Sequence, residues 1–302
     1  MGKIFVIGSI NLDLSIHVEK YPKISETVYG SNFIASPGGK GANQAVSASK
    51  LGVETYFIGC LGNEFSEELE QSLLEYNVKC DFVRKIDDVP SGIAVILVNP
   101  DGGNKIIVDS GANQFITKEQ VDKALKLAKK GDILIAQLEC NSDVVEYALV
   151  KAKSLGLTTI LNPAPQKKIS SDVFSKIDYF IPNEVEAEFY TGIKPIKESD
   201  IITCLYSLKD LGVKIPIITL GKRGSYGLDG VNTIKMSAFT RRFKAVDTTA
   251  AGDSYVSAIA VSILNGKNLH DSMRFASFAS SVTVSRKGAQ ISTPYLEEVD
   301  DN

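Results

Sequence analysis

Hydrophobic and polar positions follow two rhythms along this chain, and the switches between them mark its elements. Short, nearly continuous apolar runs recur at Lys3 to Ile10, Val53 to Cys60, Ile133 to Leu138, Thr158 to Leu161, Tyr179 to Ile181 and Ile215 to Leu220. Such runs predict strands buried on both faces. Helical patterns separate them. One runs from Ala42 to Leu51 behind Gly38-Gly39-Lys40-Gly41, and one from Glu64 to Tyr76. A third starts at the capping box Thr117-Lys118-Glu119-Gln120 and runs to Lys130. Two more close the chain, from Ala251 to Leu264 and from Leu269 to Val284. Strands alternating with helices predict βαβ units and a parallel sheet, an α/β protein.

The rhythm breaks twice. Leu12 to Val18 and Thr27 to Ile34 alternate as strands with one wet face do, joined by a turn around Tyr21-Pro22. Ile93 to Val98 and Lys105 to Val108 form a predicted hairpin across Asn99-Pro100-Asp101-Gly102-Gly103. A small β-subdomain built from about 11–36 and 91–110 would give this pattern. No repeat, low-complexity tract or linker divides the chain, so residues 1–302 are expected to form one domain.

In open parallel sheets, ligands bind beyond the carboxyl ends of the strands. The polar segments there are Asn11-Leu12-Asp13, Leu138-Glu139, Asn162-Pro163, Pro182-Asn183, Gly221-Lys222-Arg223-Gly224 and Ala250-Ala251-Gly252-Asp253. Neither a Walker loop nor a dinucleotide fingerprint is present, since Gly39-Lys40 leads into Gly41 and Gly8 into Ser9-Ile10-Asn11. The strongest local signal is Asp247-Thr248-Thr249-Ala250-Ala251-Gly252-Asp253 at a helix start. Small residues at 250–252 leave backbone N–H groups open to phosphate or a developing anion. Asp253 could complement the helix dipole, or accept a proton from a hydroxyl that attacks phosphorus. The dense run of small residues favours the second role.

Asn183 and Glu186 have the spacing of a helix cap, which the local pattern favours over an amide and a carboxylate near a hydrated Mg²⁺–phosphate cluster. Lys40 and Asn43, beside glycine-bared backbone, would reach a common cleft. Asn11 and Asp13, two apart on a strand, would share one face. With Glu139 they supply the donors and acceptors that a polyhydroxylated ligand requires.

Composition narrows the chemistry further. The 302 residues include 2 His and 4 Cys, with net charge −3. His17 and His270 lie in an alternating strand and before a helical pattern, which leaves no His-rich zinc site and no evident His base. Cys60, Cys80, Cys140 and Cys204 form no CxxC pair. The acidic balance argues against a nucleic-acid partner. No apolar run reaches the roughly 18 residues of a membrane span, and no signal-peptide pattern follows the first residues, so a cytoplasmic location is expected.

Taken with Gly8-Ser9-Ile10-Asn11-Leu12-Asp13, Gly111-Ala112-Asn113, Leu161-Asn162-Pro163-Ala164-Pro165, Thr219-Leu220-Gly221 and Arg286-Lys287-Gly288-Ala289-Gln290, these motifs extend nearly end to end. The chain resembles the ribokinase-like (PfkB) carbohydrate kinases. The resemblance implies a three-layer α/β/α fold with a mostly parallel central sheet and a β-sheet lid, dimerising through the lid. It implies ATP and Mg²⁺ as cosubstrates and D-ribose to D-ribose 5-phosphate as the reaction. Asp253 then matches the catalytic base, and the N–H groups of Ala250, Ala251 and Gly252 the anion hole. By the same matching Asn11, Asp13, Gly39, Lys40, Asn43 and Glu139 bind sugar. Asn183, Thr219, Gly221, Gly224, Gly252 and Ser277 line the nucleotide side, and Glu186 is linked to Mg²⁺. Asp247, Thr249, Thr283, Arg286, Gly288 and Ser292 correspond to a K⁺ site, mostly through backbone oxygens. The chain departs from the pattern at Asn63 and Ser66, at Ala250 where the general motif has Gly, and at Asp109-Ser110. The rival readings are a kinase for deoxyribose, a ketose or a nucleoside, and a non-catalytic sensor or an oligomerisation protein on the same fold.

Overall fold

The computed structural model describes residues 2–100, 103–240 and 242–299. Nine strands form the main sheet: β1 (Ile4–Ile7), β4 (Thr55–Leu61), β5 (Lys79–Lys85), β8 (Ile133–Ala136), β9 (Thr158–Leu161), β10 (Tyr179–Phe180), β11 (Ile215–Thr219), β12 (Ser225–Asp229) and β13 (Asn232–Met236). Their order is β13-β12-β11-β10-β9-β8-β1-β4-β5. All neighbours run parallel except β11/β12 and β12/β13.

The helices are α1 (Lys40–Lys50), α2 (Ser66–Glu75), α3 (Lys118–Leu125), α4 (Ser142–Ser154), α5 (Glu184–Thr191), α6 (Glu198–Asp210), α7 (Ala251–Leu264) and α8 (Leu269–Val284). Strand pleating sorts them onto two faces. Ile4, Val6, Ile133, Ile135 and Ile217 join residues of α1, α2, α7 and α8 in one core. Phe5, Ile7, Leu134, Ala136 and Ile218 join those of α3, α4, α5 and α6 in the other. Each fully buried large apolar side chain contributes about 1.5–3 kcal/mol, so the cores hold the sheet between two helical layers. Beneath α1 the packing is backbone on backbone: a Cβ on Gly41 would come within 2.7 Å of Gly8.

Lys50, in the last turn of α1, is buried. Its ammonium donates to the carbonyls of Gln290 (3.3 Å), Ile291 (3.4 Å) and Thr293, and lies over the rings of Tyr76 and Tyr295. The C-terminal segment is thereby tied to the helix that carries the glycine-rich motif.

The remaining strands, β2 (Asn11–Val18), β3 (Gly30–Gly38), β6 (Gly92–Val98) and β7 (Asn104–Asp109), form a separate sheet in the order β3-β2-β6-β7. Pairing is antiparallel except for β2/β6. Asn11 faces Gly38 on one side and Gly92 on the other, so this sheet is rooted just beyond the end of β1.

Several predicted boundaries move. β3 starts at Gly30 rather than Thr27 and continues past Ile34 to Gly38. Tyr29, before its start, is fully in solvent, while Gly30 sits where a Cβ would lie 2.3 Å from Ile16 Cγ2. α3 ends at Leu125 rather than Lys130, because the Leu127 and Ala128 N–H groups turn to the carbonyls three residues back. Of the predicted hairpin turn, Asp101 and Gly102 lie outside the described residues; Asn99 N donates to Gly103 O at 3.0 Å across it. Three strands had no prediction. β5 is an edge strand of mostly polar, half-exposed residues, and β12 and β13 form a hairpin whose turn signal, Asp229-Gly230, follows a short run containing a glycine.

Candidate active site

The site is built between two helix starts. α7 begins after Ala250, whose left-handed conformation (φ 57°, ψ 8°) turns the chain into the helix, and no side chain caps it. The departure to Ala at this position therefore costs about 1 kcal/mol of backbone strain that Gly would not. Ala251 N reaches back to Thr248 O at 3.3 Å. A Cβ at Gly252 would meet nothing within 4 Å, so the first turn opens onto free space. The first N–H groups of a helix have no intrahelical partner, and here they lie beside a small side chain and an unfilled volume.

Asp253 follows in the same turn, buried at 7% exposure. Its Oδ2 accepts from Asn43 Nδ2 (3.1 Å) and its Oδ1 from Gln44 Nε2 (2.9 Å), both from α1. Burial pushes its pKa up, against the pull of Lys40 and the two amide donors. A carboxylate made more basic in this way is suited to take a proton.

α1 also lacks a side-chain cap, and starts after Gly39 with φ 89°. A Cβ there would press within 2.9 Å of the backbone of Ser9, Ile10 and Asn11, so only glycine fits. Its first N–H groups are occupied by distant segments, whereas at α7 Ala251 N reaches only back along its own chain to Thr248 O. Lys40 N donates to Glu139 Oε2 (3.2 Å), Gly41 N to Ser9 Oγ (3.5 Å) and Ala42 N to Ser9 O (2.9 Å). Glu139 Oε2 also accepts from Ser9 Oγ (2.5 Å) and Asn11 Nδ2 (3.4 Å). Asn11 Oδ1 accepts from Asn113 Nδ2 (2.8 Å). Asp13 is packed on Gly38, where a Cβ would fall 2.1 Å from its carboxylate.

Charge at this centre is unbalanced. Burial opposes the Lys40 ammonium, but the carboxylates of Asp253, Glu139, Glu186 and Asp13 hold its pKa above the ordinary lysine value. Burial, with Glu139 and Asp253 nearby, pushes Asp13 up to about 7. Four acids share one ammonium, so an added cation would have a clear electrostatic role here. Among the described residues no three His, Cys, Asp or Glu side chains gather as a ready metal cluster. The donors are all oxygen. Such a set suits a hydrated hard divalent ion arriving with phosphate rather than a protein-built cage.

Beyond the end of β10, Asn183 and Glu186 form a full capping box at the start of α5. Asn183 Oδ1 accepts from Val185 N and Glu186 N (both 2.9 Å), and Glu186 accepts from Asn183 N (2.8 Å) and Nδ2 (2.9 Å). Glu186 is nonetheless buried, which raises its pKa, and it feels both Lys40 and Asp253. It is thus a capping residue that also faces the cleft. Thr219 ends β11 and bonds to Pro182 O. Gly221 (φ 53°) opens onto free space, and at Gly224 (φ 89°) a Cβ would lie 2.0 Å from Met236 O. Ser277 is buried within α8, but it is Ser280 of that helix that reaches the start of α7, donating to Ala251 O at 3.0 Å.

The Asp247 carboxylate ties a loop together, accepting from Thr249 N (2.9 Å), Thr249 Oγ1 (2.7 Å) and Gly288 N (2.9 Å). Thr283 Oγ1 donates to Ser254 Oγ (2.9 Å), and Arg286 pairs with Glu298. Ser292 is buried, with its hydroxyl on Ala289 O. The two histidines stand apart from all of this. His17 is exposed in β2, and His270 is exposed in the first turn of α8, paired with Asp271. The cysteines are free, and three of them are buried.

The sequence reading gave no role to Gln44, Gln137, Asn113 or Asn162, although Asn113 and Asn162 lie inside quoted motifs. The available signal was an uncharged amide beside each strand end, a pattern too common to stand out before the strands are assembled.

A pocket of carboxylates and amides, facing a helix start bare enough for phosphate with a buried carboxylate between, is the site of a phosphotransferase acting on a hydroxyl. Comparison with known proteins agrees. Residues 1–296 match the pfkB family carbohydrate kinases. A ribokinase of Staphylococcus aureus is 37% identical over 302 residues, covering 99% of this chain and 98% of its own. A deoxyribokinase of Salmonella typhimurium is 32% identical, covering 99% and 97%. A solved structure of Arabidopsis thaliana ribokinase, complexed with ribose and ATP, superposes with a TM-score of 0.88 at 31% identity, covering 99% and 97%. The chain belongs to the pfkB family of carbohydrate kinases.

Proposed function

We propose that this chain is an ATP-dependent sugar kinase that converts D-ribose to D-ribose 5-phosphate. The observation that carries the reading is the placement of Asp253: buried, made basic, and set between an open helix start and a polar pocket. In the reaction Asp253 takes the proton of the sugar's 5-hydroxyl as that oxygen bonds to the γ-phosphorus and the bond to the ADP oxygen breaks. The N–H groups of residues 250–252 stabilise the charge that develops on the transferring group. Asn11, Asp13, Gly39, Lys40, Asn43 and Glu139 orient the sugar, so that much of the rate comes from positioning. Asn183, Thr219, Gly221, Gly224, Gly252 and Ser277 line the nucleotide side.

Glu186 would hold Mg²⁺ through water; when bound, the ion neutralises phosphate charge that the acid-rich centre would otherwise repel. The loop of Asp247, Thr249, Thr283, Arg286, Gly288 and Ser292 would take K⁺ on main-chain oxygens. The four-stranded sheet would serve as a lid within a single domain. Its edge strands expose Phe33, Ile34, Ile106, Ile107 and Val108, which supports pairing of two copies through it. Among the described residues no helix is long and apolar enough to cross a membrane, in keeping with an enzyme of the cytoplasm.

The named relatives act on ribose and deoxyribose, so the test must separate the two. ADP release is followed with D-ribose, 2-deoxyribose, a ketose and a nucleoside, and the product is identified by ³¹P NMR. Ribose is expected to give the highest kcat/KM and a 5-phosphate. A higher value for any other acceptor reassigns the substrate. Asp253→Asn is expected to lower kcat about a thousandfold while calorimetry shows sugar still binding; near-native turnover would remove Asp253 as base.

A further inference from the structure

Both oxygens of the Asp253 carboxylate are held by neighbouring residues of α1, yet the two holders differ. Asn43 donates to Oδ2, but its own Oδ1 is buried without a partner. Its amide is fixed at one end and open at the other, as a ligand-contacting amide should be. Gln44 is fixed at every atom. Its Nε2 donates to Asp253 Oδ1 (2.9 Å) and to Asn162 Oδ1 (3.2 Å), and its Oε1 accepts from Gln137 Nε2 (2.6 Å). Its main-chain oxygen accepts from Ser257 Oγ of α7 (2.8 Å).

Of the two side chains that bond the Gln44 amide besides Asp253, Asn162 is itself pinned by a hydrogen bond, whereas Gln137 is held by packing and keeps a buried Oε1 with no hydrogen-bond partner. Asn162 Nδ2 donates to Ile181 O (2.9 Å). Gln137 is fully buried, pressed against Gly8, where a Cβ would fall 1.9 Å from Gln137 Oε1. A flip of the Gln44 amide would set its oxygen against two acceptors, Asp253 Oδ1 and Asn162 Oδ1, and its nitrogen against the Gln137 donor. One orientation alone is therefore satisfied, with N–H toward the carboxylate. An amide this fully bonded has no capacity left for a substrate, so its function must run through Asp253.

We propose that Gln44 is a positioning residue for phosphoryl transfer, pinning Oδ1 of Asp253 so that Oδ2 faces the sugar hydroxyl, and that Gln137 and Asn162 lock it in that orientation. The inference rests on Asp253 being the base. Hydrogen bonds to a charged group are individually worth enough to change a rate about tenfold to a hundredfold.

The test compares Gln44→Leu, Gln44→Glu and Gln137→Leu with the wild-type enzyme and with Asp253→Asn. Gln44→Leu is expected to lower kcat about thirtyfold while the ribose KM stays near the wild-type value. It is also expected to move the acid limb of the kcat–pH profile to higher pH, because a donor that favours the ionised carboxylate is gone. Lys40, Glu139, Asp13 and Glu186, the charged groups that also act on Asp253, remain in every variant. Gln44→Glu, with a second carboxylate at the same spot, is expected to move that limb further. Gln137→Leu leaves the Gln44–Asp253 contact possible but unlocked, and should give a smaller change of the same sign. Thermal unfolding and ribose calorimetry establish that each variant is folded and binds; should Gln44→Leu not fold, Gln137→Leu and Gln44→Glu carry the test. Wild-type kcat and an unmoved acid limb in the folded variants, with Asp253→Asn inactive, would overturn the role of Gln44 alone. Wild-type turnover in Asp253→Asn would instead overturn the base assignment beneath it.

Discussion

The starts of α1 and α7 are built alike and used oppositely. Neither has a side-chain cap, and each follows a residue with positive φ, Gly39 and Ala250. Both carry the partial positive charge of a helix N-terminus into the same cleft. At α1 the protein answers that charge itself, with Glu139 on Lys40 N and Ser9 on the next two N–H groups. At α7 the volume in front of Gly252 stays open. An occupied helix start fixes the wall of a pocket, whereas an open one can receive an anion that comes and goes.

If this contrast is functional, supplying α7 with an internal anion should damage the enzyme without damaging the fold. Ala250→Asp introduces a carboxylate beside the first N–H groups, in a residue type that tolerates the left-handed conformation. A negative charge at a helix start adds roughly 0.3–1 kcal/mol through the helix dipole. We expect an unchanged or higher melting temperature and about a hundredfold lower kcat, the scale of losing an oxyanion donor. Undiminished turnover would show that the α7 start is not used for anion stabilisation. The reverse change, Glu139→Gln, keeps an acceptor at α1 but removes its charge. It should raise the sugar KM about tenfold and alter kcat much less, read from initial rates over a sugar titration. A loss confined to kcat would erase the distinction between the two helix starts.

The smallest expected effect concerns the surplus of acid beside α1. A carboxyl raised to about 7 in the folded chain binds its proton more tightly there than when unfolded. Its stabilising contribution is therefore complete below the ordinary carboxylate range and is lost as pH rises through 7. Asp13→Asn should remove that slope. Without ligand it should be more stable than wild type by up to a few kcal/mol at pH 8, with the difference shrinking at pH 5. Parallel melting curves at the two pH values that show no such convergence would mean that Asp13 is not strained by its neighbours.

How much of this was legible beforehand depends on whether the signal was local. α7, α8 and the Thr117 capping box follow from periodicity and cap chemistry within one segment, and their starts are where the sequence placed them. The small sheet was legible as a break in rhythm, although the start of β3 was not, because it depends on Gly30 meeting Ile16 across the sheet. β5 and β13 are edge strands whose half-exposed residues carry weak patterns, and β12, though mostly buried, is a short run interrupted by Gly227. Within the site, Asp253 and the glycines announce themselves by residue type. Gln44 does not, since its meaning comes from Gln137 and Asn162, contributed by the ends of two other strands. Glu186 is intermediate: its cap was readable, but its burial facing Lys40 was not.

Asn11 wedges a further constraint into the molecule. It pairs with Gly38 and Gly92, and a Cβ on Gly92 would lie 2.1 Å from its Oδ1 and 2.3 Å from Asn113 Nδ2. The side chain proposed to contact the sugar is thus also at the common root of three strands of the small sheet. Evolutionary retuning toward another acceptor cannot pass through this position without disturbing how that sheet joins the body. The position with more room to change is instead Asn43, whose Oδ1 has no partner. Descendants of this chain with altered taste for hydroxyl compounds should differ there first and keep Asn11.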